Sequence, residues 1–275
     1  GEAGATPARS GETLFENDGV RLWRLPAVDA GIGIISFKSK AHAIGGGVLA
    51  GMMAAIARAE AELSGLVIWH EPPFAVGANL AEVADACAAG DPERLDATVA
   101  AFQQATMAVK YARVPVVAAM QGMALGGGCE FAMHSAKRVL ALETYAGLVE
   151  AGVGLIPAGG GCKEFALQAA EWASRTATPN EVLAFLQPVF MNIATAKVSK
   201  SAHEAIELGF ARAADTVLFN ADELLWVAIH EARAMAEAGY APKQPARGIP
   251  VAGRAGIATL EMTLVNMRDG GMISA

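Results

Sequence analysis

One stretch constrains this chain more than any other. The apolar run Val114-Pro115-Val116-Val117-Ala118-Ala119 is followed within a few residues by Gly126-Gly127-Gly128-Cys129-Glu130. The run is too short for a buried helix and carries Pro at its entry, where a missing backbone donor is tolerated, so it reads as a buried strand. The glycines then read as a tight turn into a helix over 126–135, with Glu130 on its first turn. A second glutamate, Glu150, opens another glycine-rich run, Glu150-Ala151-Gly152-Val153-Gly154-Leu155-Ile156-Pro157-Ala158-Gly159-Gly160-Gly161. Glycine adds no side chain, so at both places backbone can approach a ligand closely.

Around this centre the chain alternates strand and helix. Residues 20–25, 31–37, 66–69 and 138–141 read as short strands, while 47–63 and 95–111 carry helical periodicity. A helix is expected at 163–173. From about residue 178 helical patterns dominate, at 180–189, 202–208, 221–238 and 256–267, with Pro242, Pro245 and Pro250 marking a loop before the last. This order predicts an α/β fold with an α-helical C-terminal region. Three parts are expected: a flexible lead-in at 1–14, a core at 15–200 and a helical region at 201–275. The chain starts with Gly1, which reads as an excised fragment or a tag scar and hence as part of a longer polypeptide.

Composition excludes several classes. Of the 275 residues, 53% are hydrophobic and 18% charged, and the net charge is -7. A sizeable core is therefore expected. The negative balance argues against nucleic acid and against an anionic membrane surface. The most apolar stretch, 114–133, contains Pro115, Gln121, three consecutive glycines and Glu130, and is a poor membrane span. No signal peptide is read at the N-terminus. Three cysteines, Cys87, Cys129 and Cys162, are odd in number and lack a C-x-x-C pair, which fits a reducing cytoplasm. Each is most simply a small buried residue; Cys129, beside the glycine run, is also weighed as a nucleophile.

Common catalytic motifs are missing. Gly152-x-Gly154-x-x-Pro157 fails at the third glycine of a dinucleotide fingerprint, and Gly128 stands where a P-loop needs Lys. His203-Glu204 and His230-Glu231 lack the second histidine of a zincin, there is no G-x-S-x-G elbow, and the five histidines show no ligand spacing. No metal site is expected.

What remains resembles the crotonase (enoyl-CoA hydratase/isomerase) superfamily, across about residues 18–200 and most strongly over 102–164. Three segments carry the resemblance. Phe74-Ala75-Val76-Gly77-Ala78-Asn79-Leu80 is similar to the segment that supplies one oxyanion-hole N–H; the matching residue is Ala78, with Gly77 before it and Asn79 replacing the usual Asp. Gly126 to Glu130 is similar to the second oxyanion loop, whose middle glycine here is Gly127. The N–H groups at a helix start lack internal partners and carry the positive end of the helix dipole, which suits an enolate oxygen. Glu130 and Glu150 fall in the register of the two hydratase carboxylates, and keeping both favours hydration. Ala136 stands where many members carry Asp. The closest likeness is to hydratase domains fused to 3-hydroxyacyl-CoA dehydrogenases of fatty-acid β-oxidation.

The resemblance implies a crotonase-like spiral of strand–helix repeats and addition of water across a 2-enoyl-CoA thioester. CoA would be part of the substrate and no cofactor would be needed. It implies CoA binding by the segment of Lys38, Lys40, Ala41 and Ala43, near Gly77, with the two lysines toward the phosphates. It also implies an acyl-CoA partner, a dehydrogenase domain in the same polypeptide, a trimer as one assembly, and a cytoplasmic location. Acyl-chain length would depend on the mobile stretch around residues 81–94, which one sequence does not position. Two other readings stay open: another crotonase reaction such as enoyl-CoA isomerisation, and a non-catalytic docking domain of a larger multienzyme protein.

Overall fold

A computed structural model describes residues 11–178 and 181–273. Seven strands form one mixed sheet in sequence order: β1 (Glu12–Glu16), β2 (Val20–Leu25), β3 (Asp29–Phe37), β4 (Gly65–Ile68), β5 (Val116–Leu125), β6 (Lys137–Gly147) and β7 (Thr216–Leu218). The first three pair antiparallel; from β3 onward each pairing is parallel. Parallel neighbours need crossovers, and helices supply them. α1 (Gly46–Glu62) links β3 to β4, and α2 (Leu80–Ala88) with α3 (Pro92–Tyr111) links β4 to β5. α4 (Gly127–His134) links β5 to β6. Beyond β6 come α5 (Gly161–Ser174), α6 (Leu183–Ala194), α7 (Ala202–Glu207), then β7, α8 (Leu224–Glu237) and α9 (Gly253–Asp269).

Strand alternation divides the core between the two sheet faces. Leu66, Ile68, Val116, Ala118 and Met120 point with Leu22 and Ile35 into one cluster, against Met52 and Ile56 of α1, Phe102 of α3 and Phe131 of α4. Their neighbours Val67, Trp69, Val117 and Ala119 point with Trp23, Ile32 and Ile34 into a second cluster, against Leu225, Ala228 and Ile229 of α8. This two-sided burial is why the central strands read as nearly continuous apolar runs.

Two parts of the expected division change. Residues 12–14, expected in the lead-in, begin strand β1, whose Glu12 pairs with Arg24; residues 1–10 lie outside the described part. Residues 202–218, expected in the helical region, pack on β6 through α7 and pair with it through β7. The three-residue β7 was too short to read. The expected helix at 180–189 begins outside the described residues at 180 and is seen as α6.

β5 and β6 run past their expected ends. Their register shifts between Met120 and Gly122, where β6 carries two extra residues. Thr144 closes the irregularity by donating its hydroxyl to the carbonyls of Ala141 at 2.7 Å and Met120 at 3.1 Å. Beyond it Gly122–Leu125 pairs with Thr144–Gly147, and isolated bridges add Ala75 to Ala124 and Ile44 to Ala78. This outer ladder brings the Ala78 segment, the triple glycine and the approach to Glu150 together at one end of the strands.

Candidate active site

Gly77 and Gly126 allow that meeting. Gly77 has φ +104° and Gly126 φ +50°, backbone conformations that favour glycine. A Cβ on Gly77 would lie 3.3 Å from the Leu125 carbonyl and 3.7 Å from the Gly127 nitrogen. Gly127 and Gly128 are closed in as tightly: added methyls would sit 2.3 Å from Phe102 and 2.5 Å from Ala75. The triple glycine is thus required by packing as well as by the turn.

Two backbone donors are left over. Ile44 donates to the Gly77 carbonyl and accepts from Asn79, and Gly126 donates to the Gly147 carbonyl. Among the described residues neither the Ala78 N–H nor the Gly127 N–H finds an acceptor. Gly127 is the first residue of α4, so its free donor is expected. Asn79, which stands where the family usually has Asp, caps α2 by accepting from the Ala81 N–H, and its amide donates to Glu82 at 2.8 Å.

Glu130 is 2% exposed. The Gly161 N–H donates to its Oε1 at 2.7 Å, and a Cβ on Gly159 would lie 2.4 Å from its Oε2. Burial pushes its carboxyl up to about 7; the Gly161 donor works against the shift and the charge of Glu150 adds to it. Glu150 begins a 3-10 turn over Glu150–Val153 and lies beside Gly126, where a Cβ would be 3.1 Å from its Oε1. Its Oε2 is buried without a hydrogen-bond partner, and burial raises its pKa as well. Burial thus favours the protonated form at both carboxyls, and the charge of Glu150 bears on the titration of Glu130. Cys129 is wholly buried, and its thiol is pushed up by that burial and by both carboxylates, which disfavours the thiolate a nucleophile needs.

Behind Glu130 lies a network the sequence did not suggest. His134 Nδ1 bonds the Glu130 carbonyl at 2.6 Å, its Nε2 lies 2.9 Å from Lys163 Nζ, and Glu164 takes ion pairs from Lys110 at 2.5 Å and Lys163 at 2.9 Å. Burial pushes His134 down to about 4, so it is neutral, donates from Nδ1 and accepts from Lys163. The signals existed, since Glu130 and His134 are four apart on one helix, but the lysines come from two other elements. A cavity of about 420 Å³ is bounded by Gln103, Thr106 and Met107 of α3 and by residues 156–160, Cys162 and Lys163, of which Gly159 packs against Glu130. Gln103 and Thr106 fix its far wall by donating to the carbonyls of Ala158 and Gly159.

The segment expected to meet CoA is placed in part. Its short 3-10 turn, Lys40–His42, leads into Ala43 and then Ile44, the partner of Ala78, so Lys40, Ala41 and Ala43 adjoin the oxyanion segment in the chain. Ala41 and His42 hold positive φ there. Lys40 is exposed with no ion pair among the described residues. Lys38 is otherwise engaged: its ammonium pairs with Glu16 at 2.6 Å and donates to the Asn17 carbonyl at 2.9 Å.

The sequence profile of the enoyl-CoA hydratase/isomerase family matches residues 27–177, more than half the chain. The chain belongs to the enoyl-CoA hydratase/isomerase family. This crotonase-family domain is 35% identical over 264 residues to a Bacillus subtilis protein named "Probable 3-hydroxyacyl-CoA dehydrogenase", covering 95% of this chain and 32% of that one. It is 36% identical over 115 residues to the fatty acid oxidation complex subunit alpha of Shewanella loihica, covering 40% of this chain and 16% of that subunit. The chain thus spans about a third or less of the length of these relatives. Among solved structures, an enoyl-CoA hydratase from Bacillus anthracis superposes with a TM-score of 0.62 at 21% identity, over 90% of this chain and 89% of that one. That likeness places the mixed α/β sheet and its helices in the crotonase fold. Among the described residues no group of three His, Cys, Asp or Glu is placed to hold a metal, and no helix is long and apolar enough to cross a membrane.

Proposed function

We propose that this family member is an enoyl-CoA hydratase, adding water across the 2,3 double bond of enoyl-CoA in fatty-acid β-oxidation. The observation that carries the reading is the pair of carboxylates, buried Glu130 and half-buried Glu150, both raised in pKa, with Glu150 beside Gly126 and its free-donor neighbour Gly127. The Ala78 and Gly127 N–H groups donate to the thioester oxygen and stabilise enolate character; one such donor is typically worth about 3 kcal/mol of barrier. Glu130, held by Gly161, orients water and takes its proton as the oxygen bonds to C3. Glu150 delivers a proton to C2. The product is 3-hydroxyacyl-CoA, and exchange of one proton from Glu130 to Glu150 through solvent resets the pair.

No redox cofactor enters this chemistry; coenzyme A is part of the substrate. Lys40 is exposed with no ion pair among the described residues and is the cation assigned to CoA phosphates, whereas Lys38 already pairs with Glu16. The name of the longer Bacillus subtilis relative supports a further 3-hydroxyacyl-CoA dehydrogenase domain in the same polypeptide, which would consume the product. Incubating the purified protein separately with a 2-enoyl and a 3-enoyl thioester tests the reaction. Hydration of the 2-enoyl substrate to the 3-hydroxy product is expected. Conversion of the 3-enoyl to the 2-enoyl thioester, with no hydration of either, would make it an isomerase.

A further inference from the structure

A second cavity, of about 350 Å³, lies between the end of α3, the side of α5, the turn at residues 209–212 and the loop at residues 243–250. It shares no lining residue with the cavity beside Glu130. Lys110, Arg138, Arg212, Lys243 and Arg247 line it, against only two carboxylates, Glu164 and Glu171. In a chain of net charge -7 this is a local reversal of sign.

The ion pairs show which of these charges are committed. Arg138 is 1% exposed and bound to Asp215, Nε to Oδ2 at 2.5 Å. Lys110 is spent on Glu164 and Glu171 on Arg175, each at 2.5 Å. Arg212, Lys243 and Arg247 have no ion pair within 4 Å among the described residues. Arg212 is half-buried, and its pKa is lowered first by that burial and then by Arg138, with Asp215, Glu164 and Glu171 opposing the shift. Asp215 accepts the Arg212 backbone N–H at 2.7 Å but is held by the Arg138 guanidinium, so the Arg212 side chain is left without an ion-pair partner of its own. On the same wall Gln168 Oε1 is buried without a donor, while its amide reaches the Gly209 carbonyl at 3.3 Å.

We infer that this cavity binds a small hydroxylated phosphate ester, with Arg212, Lys243 and Arg247 holding the phosphate and Gln168 Oε1 accepting a ligand hydroxyl. Guanidinium groups match phosphate oxygens in paired geometry, which favours phosphate over a simple halide. The volume lies at the small end of ligand sites, the size of a sugar phosphate.

Calorimetric titration of the purified protein with ribose 5-phosphate, inorganic phosphate and ribose tests the site. Ribose 5-phosphate is expected to bind, more weakly at high salt, and ribose not at all; phosphate alone is expected to bind less tightly than the ester. Arg212→Gln, and separately the loop double variant Lys243→Gln/Arg247→Gln, are each expected to weaken ribose 5-phosphate at least tenfold. The loop variant changes only exposed side chains, so it stands even if Arg212→Gln folds poorly. Absence of binding to the wild type, or equal affinity in the loop variant, would overturn the inference. So would a parallel fall in the loop variant's kcat/KM for crotonyl-CoA, because the cations would then belong to the CoA site.

Discussion

Gly159 stands so close to Glu130 that a single added carbon would meet the carboxylate: its Cβ would lie 2.4 Å from Oε2 and 2.6 Å from Phe102. The glycine run after Glu150 therefore shapes the position of the other glutamate. Gly159 does not adopt a positive φ, so alanine there is acceptable to the backbone and intrudes only on the carboxylate and the ring. Gly159→Ala is expected to cut kcat for crotonyl-CoA about 100-fold, since misplacing a catalytic group by about 1 Å has that order of effect. Steady-state kinetics beside an unchanged circular dichroism spectrum check it.

The raised Glu130 predicts a pH profile. As the base in hydration it must be ionised, so kcat/KM should rise with pH through an acid limb near 7, about where burial and Glu150 push its carboxyl. An isolated glutamate would put the limb near 4.3. Measuring kcat/KM for crotonyl-CoA from pH 5 to 9 distinguishes the two; the limb reports the coupled pair.

The same shift predicts a stability gain where activity is lost. In the unfolded chain Glu130 loses its proton near its ordinary value, while in the folded protein it holds the proton up to about 7. The wild type is therefore destabilised progressively as pH rises through that window, and not below it. Glu130→Gln removes the penalty. Its stability should exceed the wild type by about 1–3 kcal/mol at pH 8 and differ little at pH 4, read by urea denaturation at the two pH values.

Much of this was legible in the sequence, for identifiable reasons. Residues 66–69 and 114–119 read as buried strands because both sheet faces demand apolar residues, and the two clusters divide them in strict alternation. The triple glycine read as a turn into a helix, which α4 is. Helix α2 was not read from the sequence although Asn79, a favoured N-cap residue, caps it by accepting from the Ala81 N–H. The far halves of β5 and β6 were hidden because their pairing resumes only after the irregularity at Gly122, a long-range event that no local pattern encodes. The engagement of Lys38 was unreadable for the same reason: Glu16 reaches it across a hairpin.

A buried ion pair away from the glutamates gives a fold prediction. Arg138, 1% exposed, is clamped by Asp215 and donates to the Ala132 carbonyl at 3.1 Å, tying β6 to α4 and to the turn before β7. Asp215→Ala would leave that guanidinium buried without its counter-charge and should destabilise the protein by about 3–5 kcal/mol. Chemical denaturation measures it, and the paired change Arg138→Met/Asp215→Ala should recover much of the loss.

The proposed hydration uses two carboxylates, not one, to add water to an enoyl thioester. The most direct measurement is crotonyl-CoA hydration by purified, folded Glu130→Gln and Glu150→Gln, with acid–base help from each group typically worth about 10²–10⁴-fold. Each variant is expected to lose at least 100-fold in kcat while retaining its fold. Near-normal turnover in either would contradict the account.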